Sequence, residues 1–282
     1  MSDPSDNGFS GLVVAAFESR MAFEMTRLIE RYGGRPVVAA ALREVPLEDN
    51  SEALQFGERL LTGEIDVLIA LTGVGLDTLL AILVTRYPLA AITEALSHIT
   101  LVARGPKPVA VFKRLGLTPT LTVPEPSTWR NLLQVLDECK PVEGLRVAVL
   151  EYGAVNAALL EALQSRGATV TRVPVYRWAL PADLSQLQEA LGQIVAGQVD
   201  VLLVTNAVQV DHVMQILRQE DQVEAFRRAL RRMVVASVGP TASERLRDYG
   251  WPVDFEPSHP RMGTLVKEAA ERAKAILATK RQ

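Results

Sequence analysis

The chain has 282 residues, 48% of them hydrophobic and 22% charged, with a net charge of −3. That length buries one large core or two modest ones without staples, and the charge balance supplies no basic field for nucleic acid or an anionic membrane. The single cysteine, Cys139, excludes an intramolecular disulfide framework and fits a reducing compartment, so a cytoplasmic location is expected. Residues 1–10 are polar and acidic, lack the basic and apolar regions of a signal peptide, and read as a frayed tail.

Residues 11–17 read as a strand and 19–34 as a helix ending in glycine. Residues 35–45 are extended, and 51–64 form a helix with Ser51 as its expected N-cap. Residues 65–73 read as a buried strand and 76–88 as a helix. The longest apolar run, 67–84, is broken by Asp77, two glycines and two threonines, which favours strand, turn and helix over a membrane span. Residues 99–105 then read as a strand, 106–117 as a helix, 118–125 as a strand and 132–140 as a helix carrying Cys139. The later strands are 145–153, 169–178, 199–207, 232–239 and 252–258. The helices among and after them are 156–167, 184–197, 208–218, 240–250 and 265–282.

An offset of 134 residues aligns the two halves without a gap. Val13 falls on Val147, Gly33 on Gly167, Asp66 on Asp200, Asp77 on Asp211, Gly105-Pro106 on Gly239-Pro240 and Pro126 on Pro260. This spacing indicates an internal duplication. Near-continuous apolar strands such as those at 67–71 and 201–205 need cover on both faces. With strands and helices alternating, the fold class is α/β, with two doubly wound parallel-sheet domains. Two such sheets leave a cleft, and ligands sit beyond the carboxyl ends of their strands.

Those ends carry small and hydroxylated residues: Thr72-Gly73-Val74-Gly75, Arg104-Gly105-Pro106-Lys107, Glu151-Tyr152-Gly153, Thr205-Asn206-Ala207 and Ser237-Val238-Gly239-Pro240-Thr241. Each turn feeds a helix N-terminus, whose free N–H groups and dipole suit anions. Turn geometry and helix capping explain any one of them equally well. The set, at equivalent places in both halves, favours a ligand with several carboxylates or phosphates. Dinucleotide, phosphate-loop, metalloprotease, Cys-pair and serine-elbow motifs are absent, and His98, His212 and His259 lie far apart. No metal and no cofactor are expected. The available cations are Arg20, Arg104, Lys107 and Arg177, with Lys107 best placed because it opens a helix after Gly105-Pro106. Tyr176 lies where one half hands over to the other, and either packs there or presents its hydroxyl to the cleft.

In this order, the TGVG turn at 72–75, the LVARGPK segment at 101–107, the VPVYRW strand at 173–178, the TN turn at 205–206, the VGPTA turn at 238–242 and the closing HPRMGTLV at 259–266 resemble the uroporphyrinogen-III synthase family. The resemblance covers about residues 11–270. It implies a discontinuous first domain (1–38 and 178–282), a second domain (46–168) and a two-stranded β-ladder of the extended segments 35–45 and 169–178, with the hinge itself at 39–45 and 169–177, whereas the repeat alone places a boundary near 140. It also implies cyclisation of hydroxymethylbilane to uroporphyrinogen III with inversion of ring D and loss of water, a hydro-lyase reaction without a cofactor. By position, Tyr176 matches the family's tyrosine at the leaving group. Substrate contacts are expected from Thr72, Gly73, Val74, Arg104, Gly105, Lys107, Thr205, Asn206, Gly239 and Thr241. Many members carry an Arg just after the first strand; here Phe17-Glu18 stand there, which leaves Arg20 without an assigned role. The implied partners are the small-molecule substrate and a transient contact with hydroxymethylbilane synthase, with no nucleic acid or membrane and a monomeric state. The alternative is a non-catalytic two-lobed protein that binds or senses a tetrapyrrole or other polyanion.

Overall fold

The computed structural model describes residues 8–151, 153 and 155–282. Of the frayed tail expected at 1–10, residues 1–7 lie outside the described residues, as does Tyr152; the rest is not frayed, since Phe9 is fully buried in the unit 1 core and its N–H donates to the Tyr32 carbonyl at 2.8 Å. The chain forms two compact units: unit 1 is Met1–Arg43 with Ala179–Gln282, and unit 2 is Glu44–Trp178.

Unit 1 is built on four strands: β1 (Val13–Ala16), β2 (Arg35–Val38), β10 (Val201–Val204) and β11 (Val234–Ser237), in the order β11-β10-β1-β2 and parallel throughout. One face is covered by α1 (Ala22–Arg31) and α12 (Met262–Lys280), which contribute Met25, Ile29, Leu265, Val266 and Leu277 to the core. The other face is covered by α8 (Ser185–Val195), α9 (Ala207–Gln219), α10 (Val223–Leu230) and α11 (Pro240–Asp248).

Unit 2 holds five parallel strands in the order β6-β5-β4-β7-β8: β4 (Val67–Ala70), β5 (Thr100–Ala103), β6 (Leu121–Thr122), β7 (Arg146–Leu150) and β8 (Thr169–Val173). One face is covered by α2 (Ser51–Leu61), α3 (Gly73–Leu83), α4 (Leu89–Ser97) and α5 (Pro106–Arg114), the other by α6 (Trp129–Cys139) and α7 (Ala157–Gln164). Every residue of β4, β10 and β11 is buried, as strands sandwiched between helices must be.

The duplication is visible strand by strand, and it is interleaved. β1 and β7 are equivalents, as are β2 and β8, β4 and β10, and β5 and β11. Each sheet takes strands from both repeats, so residue 140 falls inside unit 2. The aspartates that begin β4 and β10 act alike. Asp66 accepts from the Arg146 N–H at 2.7 Å, and Asp200 from the Val13 N–H at 2.8 Å, pinning the neighbouring strand. Each also meets an arginine, Arg146 for Asp66 and Arg281 for Asp200.

Further details differ from the sequence reading. The two-stranded ladder is shorter: only β3 (Arg43–Pro46) and β9 (Tyr176–Ala179) pair with each other, antiparallel, where the chain passes between units. Residues 35–38 and 169–173 instead join the parallel sheets, because their apolar side chains find cover there. The strand read at 252–258 is a single bridge, Ala236 to Phe255, which matches the position of the two-residue β6 in the other repeat. Ser51 is the first helical residue rather than the cap; its N–H and hydroxyl both donate to Asp49, at 2.7 and 2.9 Å.

Candidate functional site

In unit 2 the turns after β4, β5 and β7 converge. Thr72 caps α3, its hydroxyl oxygen accepting from the Gly75 N–H at 3.0 Å. Gly73 is required by close approach: a Cβ there would lie 3.0 Å from the Lys107 carbonyl oxygen and 3.2 Å from the Lys107 side chain. The first turns of α3 and α5 therefore lie side by side. A Cβ on Gly75 would meet Thr72 Oγ1 at 2.9 Å and the Glu151 carbonyl at 3.2 Å, which brings in the turn after β7. Pro106 opens α5, giving up no N–H that the helix would use, and Lys107 follows it, exposed to solvent. Val74 is half-buried beside this pair, and Arg104 leaves β5 with its N–H bonded to Ala70 at 3.1 Å. Thus Thr72, Gly73, Val74, Gly105 and Lys107 are brought together at two adjacent helix N-termini, with Lys107 as an exposed cation on the first turn of α5.

Glu151 ends β7 and is buried, and Arg172 on β8 clamps it with two hydrogen bonds of 2.7 and 3.1 Å. That carboxylate is satisfied and structural in kind. Tyr176 begins β9 and is 6% exposed. Its ring lies against Gly153 and 6.3 Å from that of Trp178.

In unit 1 the turn after β10 is a capping box. Asn206 accepts from the Val208 N–H at 2.9 Å, and the buried Gln209 returns to the Asn206 N–H. The Thr205 hydroxyl donates to Glu18 Oε2 at 2.6 Å and accepts from Gln209 Nε2 at 2.9 Å. After β11, Ser237 is fully buried; its hydroxyl donates to the Gly239 carbonyl at 3.0 Å and accepts from the Gly239 N–H at 3.4 Å. Thr241 is exposed on the first turn of α11, and Thr205, Asn206 and Gly239 sit on the adjacent strand ends, as the Val238 to Val204 bond of 2.8 Å requires.

The sequence reading missed Glu18 as a partner of Thr205, Gln209 as the second half of the capping box, and the Glu151–Arg172 clamp. The N-x-x-Q spacing of Asn206 and Gln209 was available to it; the two glutamate pairings join residues 187 and 21 apart, which only the sheet order makes neighbours. A depression of about 600 Å³ in unit 2, lined by residues including Leu61, Asp66, His98 and Lys140, lies at the amino ends of the strands, away from these turns. Among the described residues no group of three His, Cys, Asp or Glu could hold a metal ion, and no helix is long and apolar enough to cross a membrane.

The family model for uroporphyrinogen-III synthase HemD matches residues 24–267. The chain belongs to that family. Among relatives of this uroporphyrinogen-III synthase family member is the uncharacterized protein YjjA of Bacillus subtilis (strain 168), 27% identical over 268 residues, covering 94% of this chain and 97% of the relative. The fold is that of a mutant uroporphyrinogen III synthase from the extremely thermophilic bacterium Thermus thermophilus, with a TM-score of 0.74 at 24% identity over 94% of this chain and all of that one. The uroporphyrinogen-III synthetase of Helicobacter pylori 26695 aligns with a TM-score of 0.51 at 16% identity, covering 92% of this chain and 98% of that one. These structural likenesses show a shared fold; the family rests on the matched model and places the chain in tetrapyrrole biosynthesis.

Proposed function

We propose that this protein is a uroporphyrinogen-III synthase, a cofactorless hydro-lyase that converts hydroxymethylbilane to uroporphyrinogen III. The observation that carries the reading is the junction of α3 and α5. Two helix N-termini held side by side through Gly73, with Lys107 on the first turn of one, form a site for the acetate and propionate groups of such a substrate. Thr72, Gly73, Val74, Arg104, Gly105 and Lys107 supply the contacts in unit 2. Asn206, Gly239 and Thr241 supply the equivalent ones in unit 1, beside Thr205, whose hydroxyl is bonded to Glu18.

The chemistry asks little of any single side chain. The terminal hydroxyl leaves as water, taking a proton from a donor, and the ring that carried it returns its N–H proton to that donor, leaving an electron-poor azafulvene. Ring D attacks it through its substituted carbon to give a spiro intermediate, which fragments and recloses with ring D inverted. Held in one geometry, a flexible chain gains up to about 7–11 kcal/mol from proximity and orientation. Tyr176 is the proposed proton donor, its ring fixed by Gly153 and Trp178 so that little side-chain freedom is lost on reaction. We take the protein to act as a monomer in the cytoplasm, with units 1 and 2 as its two domains and a transient encounter with hydroxymethylbilane synthase as its source of substrate. The test is isomer analysis of the product: formation of the type III isomer above the spontaneous type I background supports the reading, and type I alone refutes it.

A further inference from the structure

The strand ends of unit 1 carry chemistry that a carboxylate site does not use. β1 and β10 are neighbours at the centre of the sheet, and the chain leaves them in opposite directions, β1 toward β2 and β10 toward β11. This is the topological switch point, where an open α/β sheet leaves a crevice. Glu18 stands there. Its Oε1 accepts from the Ser19 and Met21 N–H groups at 3.2 and 3.4 Å, and its Oε2 from the Thr205 hydroxyl at 2.6 Å. The N–H groups of the turn that leads into α1 are therefore already taken by a carboxylate of the chain itself, and a substrate carboxylate there would meet like charge. An ionised carboxylate has about four acceptor sites, and Glu18, half-buried, spends three of them on these bonds. What it has left to offer is an acceptor.

A second observation is independent of charge. Met21 and Phe23, just beyond Glu18, are 44% and 68% exposed, although Arg27 covers one face of the Phe23 ring at 5.7 Å. Val155, 134 residues on from Met21, is 52% exposed on the turn after β7, at the equivalent switch point of unit 2. Half of the six large exposed hydrophobic residues among those described thus lie on the turns after these two equivalent strands or on the first turn of the helix that follows. Uncovered apolar surface placed twice at the ligand crevice of the fold suits a ligand with apolar faces.

An acceptor carboxylate beside exposed apolar side chains matches a ring with apolar faces and one N–H edge. We propose that Glu18, Met21 and Phe23 form a pyrrole subsite, in which a ring of the substrate lies against Met21 and Phe23 and donates its N–H to Glu18. The proposal rests on the synthase reading and adds to it the part of the substrate that unit 1 recognises. Thr205, whose proton goes to Glu18, is then a positioning residue that holds the carboxylate in place.

The test is calorimetric titration with a dipyrromethane bearing acetate and propionate groups and with its N,N′-dimethylated counterpart. The wild type should bind the N–H compound about tenfold more tightly, the worth of one charge-assisted hydrogen bond. Glu18→Ala should abolish the preference, Glu18→Gln, which keeps an acceptor oxygen and the α1 turn, should retain part of it, and Phe23→Ala should weaken both compounds alike. Equal affinity of the wild type for the two compounds, no measurable binding of either, or a full preference surviving in folded Glu18→Ala or Glu18→Gln would overturn the subsite. Product analysis separates this from the synthase reading. Type III product without the N–H preference removes only the subsite; the preference without type III product removes only the reaction.

Discussion

Tyr176 is 6% exposed and packed on Gly153, so its ring cannot swing, and any catalytic part it plays is confined to its hydroxyl. Tyr176→Phe keeps the ring and its packing. It should lower kcat by roughly 10- to 100-fold, at or below the lower edge of general-acid assistance, while the melting temperature stays within a few degrees. Steady-state kinetics beside a thermal melt checks this, and an unchanged kcat would remove Tyr176 from the mechanism. A different residue controls acid stability. The Arg146 guanidinium, bonded to Asp66 through Nε and a terminal nitrogen, holds the Asp66 carboxyl down at about 2 from an ordinary 3.8. A carboxyl depressed on folding gives stability that is complete above its unfolded value and lost as pH falls through its folded one. Discounted for partial exposure, that is about 1–2 kcal/mol. Asp66→Asn should therefore be less stable than the wild type by this amount at pH 7, and denaturant melts should show the gap closing between about pH 4 and pH 2. At this scale the sequence was a good guide wherever a residue acts on its near neighbours. Thr72 and Asn206 cap helices by bonding two or three residues ahead, which spacing reveals. The Ser51 cap failed because Asp49, two residues earlier and a charged acceptor, takes both the N–H and the hydroxyl of Ser51, which stands inside the first turn of α2.

The element that matters most is the pair of adjoining helix starts, α3 and α5, and it depends on a missing side chain at Gly73. Gly73→Ala would put a methyl 3.0 Å from the Lys107 carbonyl, so the two first turns must part. We expect kcat/KM to fall at least about tenfold with a loss of roughly 1–3 kcal/mol in stability, a cost typical of overpacking. Gly192→Ala is the control: nothing lies within 4 Å of that Cβ in mid-α8, so it should stabilise by roughly 0.5–1 kcal/mol and leave kinetics alone. Most elements were legible because their periodicity is long and clean. Two were not: α4 and α10, equivalents 134 residues apart, were passed over as connections. Each shows a buried apolar pair at i and i+4, Ile92 with Leu96 and Phe226 with Leu230, and each follows another helix directly. A reading that alternates strand with helix has no place for a second helix. The ladder was over-read for the opposite reason: 35–45 and 169–178 are continuous extended chain in sequence, and only pairing partners divide each into two strands that serve different sheets.

For the whole molecule, the 134-residue repeat identifies the duplication but not how it is assembled. Strands that are equivalent in sequence occupy equivalent places in two different sheets, and each sheet draws on both repeats. No local pattern carries that interleaving, since it follows from which apolar strands pair after the chain has crossed twice; only the family resemblance supplied it. The same holds for function. The family is established by the match over residues 24–267, whereas the reaction proposed for it would need the turn chemistry to act together on a substrate. The most direct test generates hydroxymethylbilane in situ, adds the full chain, oxidises the products and separates uroporphyrin isomers I and III by chromatography. A dominant type III isomer is the predicted result; type I alone from a correctly folded protein would contradict the account.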